Sequence, residues 1–255
     1  MRSIFADIDA WLTALALGLA MFVAWEFGRW HGRQLRIESG EVPVSKFEDA
    51  SLALLGLLLG FTFSMAIVKH DQRRLMVVAD SNAIGDFYTC ASLLKEPVRT
   101  NLRSVIRDYA KLRSQLSGRK LDEAEIESAL ERMQRMQDQM TALVDQALVA
   151  GTPIAVSLTN TLNGVTSNHA TRLAAVRDRL PASVVLLLLV SAVLSSMLVG
   201  REQGASDRAD VAGTACFIVL ASLAVYVILD LNQPERGLIT VSQEPIHRLL
   251  SSMVR

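Results

Sequence analysis

Cysteine is nearly missing from this 255-residue chain, which has only Cys90 and Cys216. Two thiols cannot build a disulfide framework, and both are expected reduced and unpaired. An excess of charge is missing too. The 26 basic residues balance 26 acidic ones, so the chain is not expected to take nucleic acid as a partner by electrostatics. No CxxC, HExxH, GxSxG or phosphate-binding glycine loop occurs, and those motifs carry metal, redox, acyl-transfer and nucleotide chemistry. The four histidines, His31, His70, His169 and His247, are scattered. His169 falls on a helical seam, where a hydrogen-bonded structural role outweighs a metal-ligand role. Neither an enzyme nor a cofactor or metal site is expected.

Apolar residues, by contrast, make up 51% of the chain and are concentrated. Ala10 to Trp25 (16 residues), Ala50 to Val68 (19), Leu180 to Gly200 (21) and Val211 to Leu229 (19) contain no Asp, Glu, Lys or Arg. A bilayer core about 30 Å thick takes roughly 20 helical residues, so the last three windows span directly. The first spans if Asp9 and Glu26 sit at the interfaces, where Trp11, Trp25 and Trp30 would form an aromatic belt. Arg2 before an apolar stretch also suits a secretory signal. No small-x-small cleavage site follows, however, and the segment runs on through Trp25-Glu26-Phe27, which favours a retained helix. Near the membrane, ten Lys and Arg (among them Arg2, Lys69, Arg172 and Arg255) face six (Arg29, Arg33, Arg36, Lys46, Arg201 and Arg208). The positive-inside rule then puts both termini and the long middle segment in the cytoplasm.

That middle segment reads as helix throughout. No proline lies between Pro43 and Pro97, so the second span is expected to continue outward as one helix over 50–95, about 69 Å long. Pro97 opens a further helix, whose seam is Val98, Leu102, Val105, Tyr109, Leu112 and Leu116. After Gly118 another begins with Asp122, Glu123, Glu125 and Glu127 in its first turns and carries Ile126, Leu130, Met133, Met140 and Val144. Gly151-Thr152-Pro153 ends it. Leu158, Leu162, Val165, Leu173, Val176 and Leu180 then lead through Pro181 into the third span. The expected organisation is spans one and two over 1–69, a cytoplasmic bundle over 70–179, spans three and four over 180–231, and a tail over 232–255. The turn Asp230 to Pro234 is followed by a short amphipathic helix from Glu244-Pro245, which suits either the bundle or the membrane surface.

The windows hold no Asp, Glu, Lys, Arg or His at membrane depth, which argues against a proton-coupled pump or stator subunit. The second span holds a graded pattern instead. Gly56 and Gly60 form a GxxxG step that lets a neighbouring backbone approach. Ala53, Leu57 and Phe61 recur every four residues on a face about 100° away. Copies of this helix around an axis would pack on the glycines and line a dry constriction with the apolar row, and such constrictions gate ions by dewetting. An ordinary pair of membrane helices would show the same GxxxG. Lys69, Arg73 and Arg74 would ring a cytoplasmic mouth and raise local anion concentration, or simply anchor the span. Glu48 and Asp49 at the other end would repel anions, or cap the helix.

Several separated motifs carry a resemblance. Gly60-Phe61-Thr62-Phe63-Ser64, Asp71, Arg73-Arg74 and Asn82-Ala83-Ile84-Gly85 are similar to the bestrophin-like membrane family found in bacteria. So are Leu162-Asn163, His169, Arg172, Arg179-Leu180-Pro181, Leu229-Asp230, Pro234, Gly237 and Val241; the match runs from Ala50 onward. The resemblance implies the layout of bestrophins: pentameric ion channels with four spans per subunit, cytoplasmic termini and a helical domain between spans two and three. It also implies a neck of three apolar residues spaced by four, ending at the Phe of a Gly-Phe pair. Carried over, these are Ala53, Leu57 and Phe61. Ala53 departs from the usual bulky residue and would widen the outer neck. The acidic cluster that binds calcium after the fourth span in animal bestrophins is missing, since only Asp230, Glu235 and Glu244 occur here; calcium gating is not expected.

The sequence therefore predicts an all-α membrane protein with four transmembrane helices and a helical cytoplasmic bundle between the second and third. It is expected to be multi-pass in a bacterial inner membrane, to contact membrane lipid, and to form a homo-oligomer, a pentamer, that passes small ions such as chloride. The rival reading is a membrane-anchored helical scaffold or sensor that recruits a cytoplasmic partner through its seams and its Met133, Met136 and Met140 group.

Overall fold

A computed structural model describes residues 9–39, 47–116, 123–206, 210–233 and 237–253. Arg2, Pro43, Lys46, Gly118, Asp122, Arg208, Pro234, Glu235 and Arg255 lie outside that set, as do the side chains of Leu173 and Val176. The described residues form eight helices: α1 (Ala10–Ser39), α2 (Phe47–Ser92), α3 (Val98–Leu116), α4 (Glu123–Val149), α5 (Ala155–Arg177), α6 (Ala182–Ser206), α7 (Val211–Leu231) and α8 (Glu244–Met253). Four of them, α1, α2, α6 and α7, are long and apolar enough to cross a membrane. The fold is all-helical with four candidate spans. The proline-free run yields an α2 of 46 residues, three residues out of register with the expected 50–95. Beyond Trp25, α1 continues to Ser39, because Glu26 and Arg29 pair at 3.1 Å one turn apart and do not interrupt it.

The chain divides into two compact units, one within Met1–Val68 and Arg179–Ile239, the other within Lys69–Asp178 and Thr240–Arg255. In the first, α1 and α6 touch backbone to backbone. A Cβ on Gly28 would fall 2.1 Å from the Met197 carbonyl oxygen, one on Gly32 2.1 Å from that of Arg201, one on Gly200 2.1 Å from that of Trp25, and one on Gly204 2.2 Å from that of Arg29. Two GxxxG steps thus face each other. The seam is closed by a polar chain in which Trp25 Nε1 donates to Gln203 Oε1 (3.1 Å) and Gln203 Nε2 to Thr214 Oγ1 (2.9 Å), tying in α7. The start of α7 is capped by Asp210, which accepts from the Gly213 N–H at 2.9 Å. At its end, buried Asp230 accepts the N–H groups of Leu238 and Ile239, both at 2.9 Å, and so folds the following turn back.

The second unit is a bundle of the later part of α2 with α3, α4, α5 and α8. Its core includes Ile84, Phe87, Leu102, Ile106, Tyr109, Met140 and Leu158, all at most 1% exposed. On α3 the buried set is Leu102, Ile106, Tyr109, Ala110 and Arg113, with Val98, Val105, Leu112 and Leu116 only partly buried at its margins. The seam is therefore rotated from the expected one, and it ends on a charge. Gly151, at φ +72°, stops α4: its N–H bonds the Leu148 carbonyl and that of Thr152 bonds Ala147, a left-handed C-terminal cap that Pro153 does not continue. The tail is resolved in favour of the bundle. α8 buries Ile246 and Met253, and Ser81 Oγ on α2 donates to the Pro245 carbonyl at 3.0 Å.

Candidate functional site

The proposed pore helix presents two different faces. Leu55, Thr62 and Ala66 are 1% exposed and point into their unit, whereas Ala53, Leu57 and Phe61 stand on the uncovered side, Leu57 at 55% and Phe61 at 63%. Only 17% of the most apolar stretch of α2 is buried, against 28% to 33% for the other three spans. Gly56 and Gly60 share that openness: a Cβ built on either meets nothing within 4 Å. Within one copy of the chain, the glycine packing is therefore done by the 28/32 and 200/204 pairs, and among the described residues the 56/60 pair takes no part in it. The sequence offered both patterns equally. The missed pairs lie where charged residues end the apolar windows.

Of the three basic residues below this span, two are engaged in the bundle. Lys69 Nζ lies 2.5 Å from Asp178 Oδ2. Arg73 is buried, at 4% exposure, and donates through Nε to the Ala175 carbonyl (3.2 Å) and through Nη2 to that of Asp178 (2.8 Å), so that it caps the C-terminal end of α5. Arg74 is exposed. Arg73 thus does not line an open surface of the subunit, and of the expected mouth residues Arg74 stands out.

Inside the bundle lies a charge cluster that sequence reading did not assemble. Asp80 on α2 is fully buried. Its Oδ2 accepts Arg113 Nε (3.0 Å) and Nη2 (2.7 Å) from α3 and Arg172 Nη1 (2.8 Å) from α5. Arg172 Nη2 reaches Gln243 Oε1 at 2.9 Å, just ahead of α8. Arg113 Nη1 lies 3.1 Å from His169 Nδ1; because arginine only donates, that nitrogen accepts. Burial holds the His169 pKa below its ordinary 6.5, and adjacent Arg113 adds to the effect, so a neutral ring is the stable partner here. Burial likewise pushes the Tyr109 hydroxyl up, and Gln137 Nε2 donates to that oxygen at 3.3 Å. Geometrically this is a fastener joining α2, α3, α5 and the segment before α8. Among the described residues no three His, Cys, Asp or Glu side chains are grouped to hold a metal. One signal was available in sequence: Asp80 and Arg113 each interrupt an apolar helical stripe, and opposite charges on two such stripes pair if the helices meet.

Comparison with known proteins adds one finding. A family model described as the Bestrophin-like domain matches residues 14–246. No curated protein and no solved structure matches the chain.

Proposed function

This chain belongs to the bestrophin-like family and is a multi-pass membrane protein; on that premise we propose that copies of it assemble into a ring, a pentamer, whose α2 helices surround an ion pathway. The observation that carries the proposal is the uncovered Ala53, Leu57 and Phe61 row beside two glycines with open space around them. In the ring the glycines take the close approach of a neighbouring subunit, and the apolar row turns inward to form the neck. Ala53 leaves the outer end wide, so Leu57 and Phe61 make the barrier that a partly dehydrated ion must pass. Conduction is passive. Exposed Arg74 biases the inner mouth toward anions such as chloride, whereas Lys69 is paired with Asp178 and adds little. The excess of Lys and Arg on one side orients both termini toward the cytoplasm of a bacterial plasma membrane.

Reconstitution into liposomes tests the reading. Ion flux is expected from the native chain and should rise severalfold in Phe61→Ala, where the narrowest apolar ring is widened. Absence of flux in both forms would refute the channel and favour the membrane-anchored scaffold.

A further inference from the structure

Helix α3 carries a ladder of basic residues one turn apart: Arg99, Arg103, Arg107 and Lys111. The outer two have carboxylates three residues before them. Arg99 pairs with Glu96 at 2.7 Å and Lys111 with Asp108 at 3.3 Å. The inner two have none. Thr100 and Ser104 occupy the corresponding places, Asp108 adjoins Arg107 in sequence and so does not face it, and among the described residues neither inner arginine forms an ion pair. Yet both converge on a single acceptor. Tyr88 Oη on α2 lies 2.6 Å from Arg103 Nη2 and 3.0 Å from Arg107 Nη2; Arg107 Nη2 also reaches the Met253 carbonyl of α8 at 2.9 Å. The Arg103 guanidinium carbon lies over the Tyr88 ring, 4.7 Å from its centre, a cation–π contact that adds to the hydrogen bond.

Two like charges at this spacing repel, and each guanidinium buries an Nε that has no partner. One phenol oxygen and one carbonyl cannot balance two cations. With each Nε buried, these bonds leave both Nη1 groups uncommitted, and two guanidinium groups that share one acceptor offer several N–H donors together, which suits the several acceptor oxygens of a phosphate better than any single-point acceptor. We propose that Arg103 and Arg107, positioned by Tyr88, form a binding site for a phosphate-class oxyanion on the helical bundle. The site is independent of the ion pathway proposed above. Its ligand is either a free phosphate compound or the headgroup of an anionic lipid.

The test uses the full chain. In detergent, inorganic phosphate and pyrophosphate are titrated by calorimetry; in phosphate-free buffer, nanodiscs of phosphatidylglycerol are compared with phosphatidylcholine by thermal shift. Saturable binding of phosphate or pyrophosphate supports a free ligand, and stabilisation by phosphatidylglycerol alone supports a lipid headgroup. In either case Arg103→Gln and Arg107→Gln should each weaken the response by about tenfold or more, while Arg99→Gln leaves it within twofold. Arg103→Lys and Arg107→Lys keep the charge but lose the fork, and they carry the comparison if a Gln variant fails to fold; a loss of binding in them again supports the site. Absence of any response in the native chain, or a response that survives both arginine substitutions, overturns the proposal.

Discussion

Replacing Gly200 by alanine isolates the contact on which the membrane unit depends. The new methyl would sit 2.1 Å from the Trp25 carbonyl oxygen and 2.9 Å from its carbon, whereas carbon and oxygen without a bond approach to about 3.3 Å. The obstacle is backbone, so no rotamer change relieves it, and α1 and α6 must part by about 1 Å. Overpacking of this kind costs about 1–3 kcal/mol. Alanine returns about 1 kcal/mol of helix propensity. Because the obstruction is rigid, the upper part of the range applies, which leaves a net loss of about 1–2 kcal/mol. At about 2–4 °C per kcal/mol for a chain of this size, Tm should fall by several degrees. Thermal unfolding in detergent reads it, with Gly56→Ala as the control: nothing lies within 4 Å of that position, so the fold of one chain should hold or gain slightly. If a ring forms on that face, the control variant should instead lose assembly in native mass measurement. An unchanged Tm for Gly200→Ala would refute the backbone-to-backbone seam.

Other expectations concern the bundle. Asp80→Asn removes the carboxylate shared by Arg113 and Arg172 and leaves two cations in a buried place, so chemical denaturation should show a loss of about 3–5 kcal/mol. His169 faces Arg113 from α3, with Asp80 of α2 and Arg172 of its own helix close by. Its folded pKa lies below the ordinary 6.5, so the unfolded chain takes up the proton first as pH falls. Stability should be full above that value and decline as pH drops below it toward the folded pKa. His169→Gln should flatten that part of a Tm-against-pH curve; an equally steep decline in the variant would exclude His169 as its origin.

Periodicity and proline placement make most of the helices legible in the sequence. α2 needed only its lack of prolines, and Gly151 with Pro153 announced the end of α4. What could not be read was pairing. Leu57 and Gly28 belong to equally ordinary patterns, yet one stands open and the other is locked against Met197, because helix propensity carries no information about which helix arrives alongside. Arg73 shows the same limit: its place below an apolar span suggested a solvated mouth, whereas the carbonyls of Ala175 and Asp178, about a hundred residues later, claim it. Asp80 escaped notice for the converse reason. A lone acid in a helical stripe looks like a solvated face until two arginines from other helices converge on it.

The bundle's discontinuity sets an order of events during synthesis. Its piece from Lys69 to Asp178 is translated first, then α6 and α7 emerge, and only afterwards come Gln243 and α8. Until then Arg172 lacks its amide partner and the surface that receives Ile246 is bare. The bundle can therefore close only after two further apolar helices have been translated.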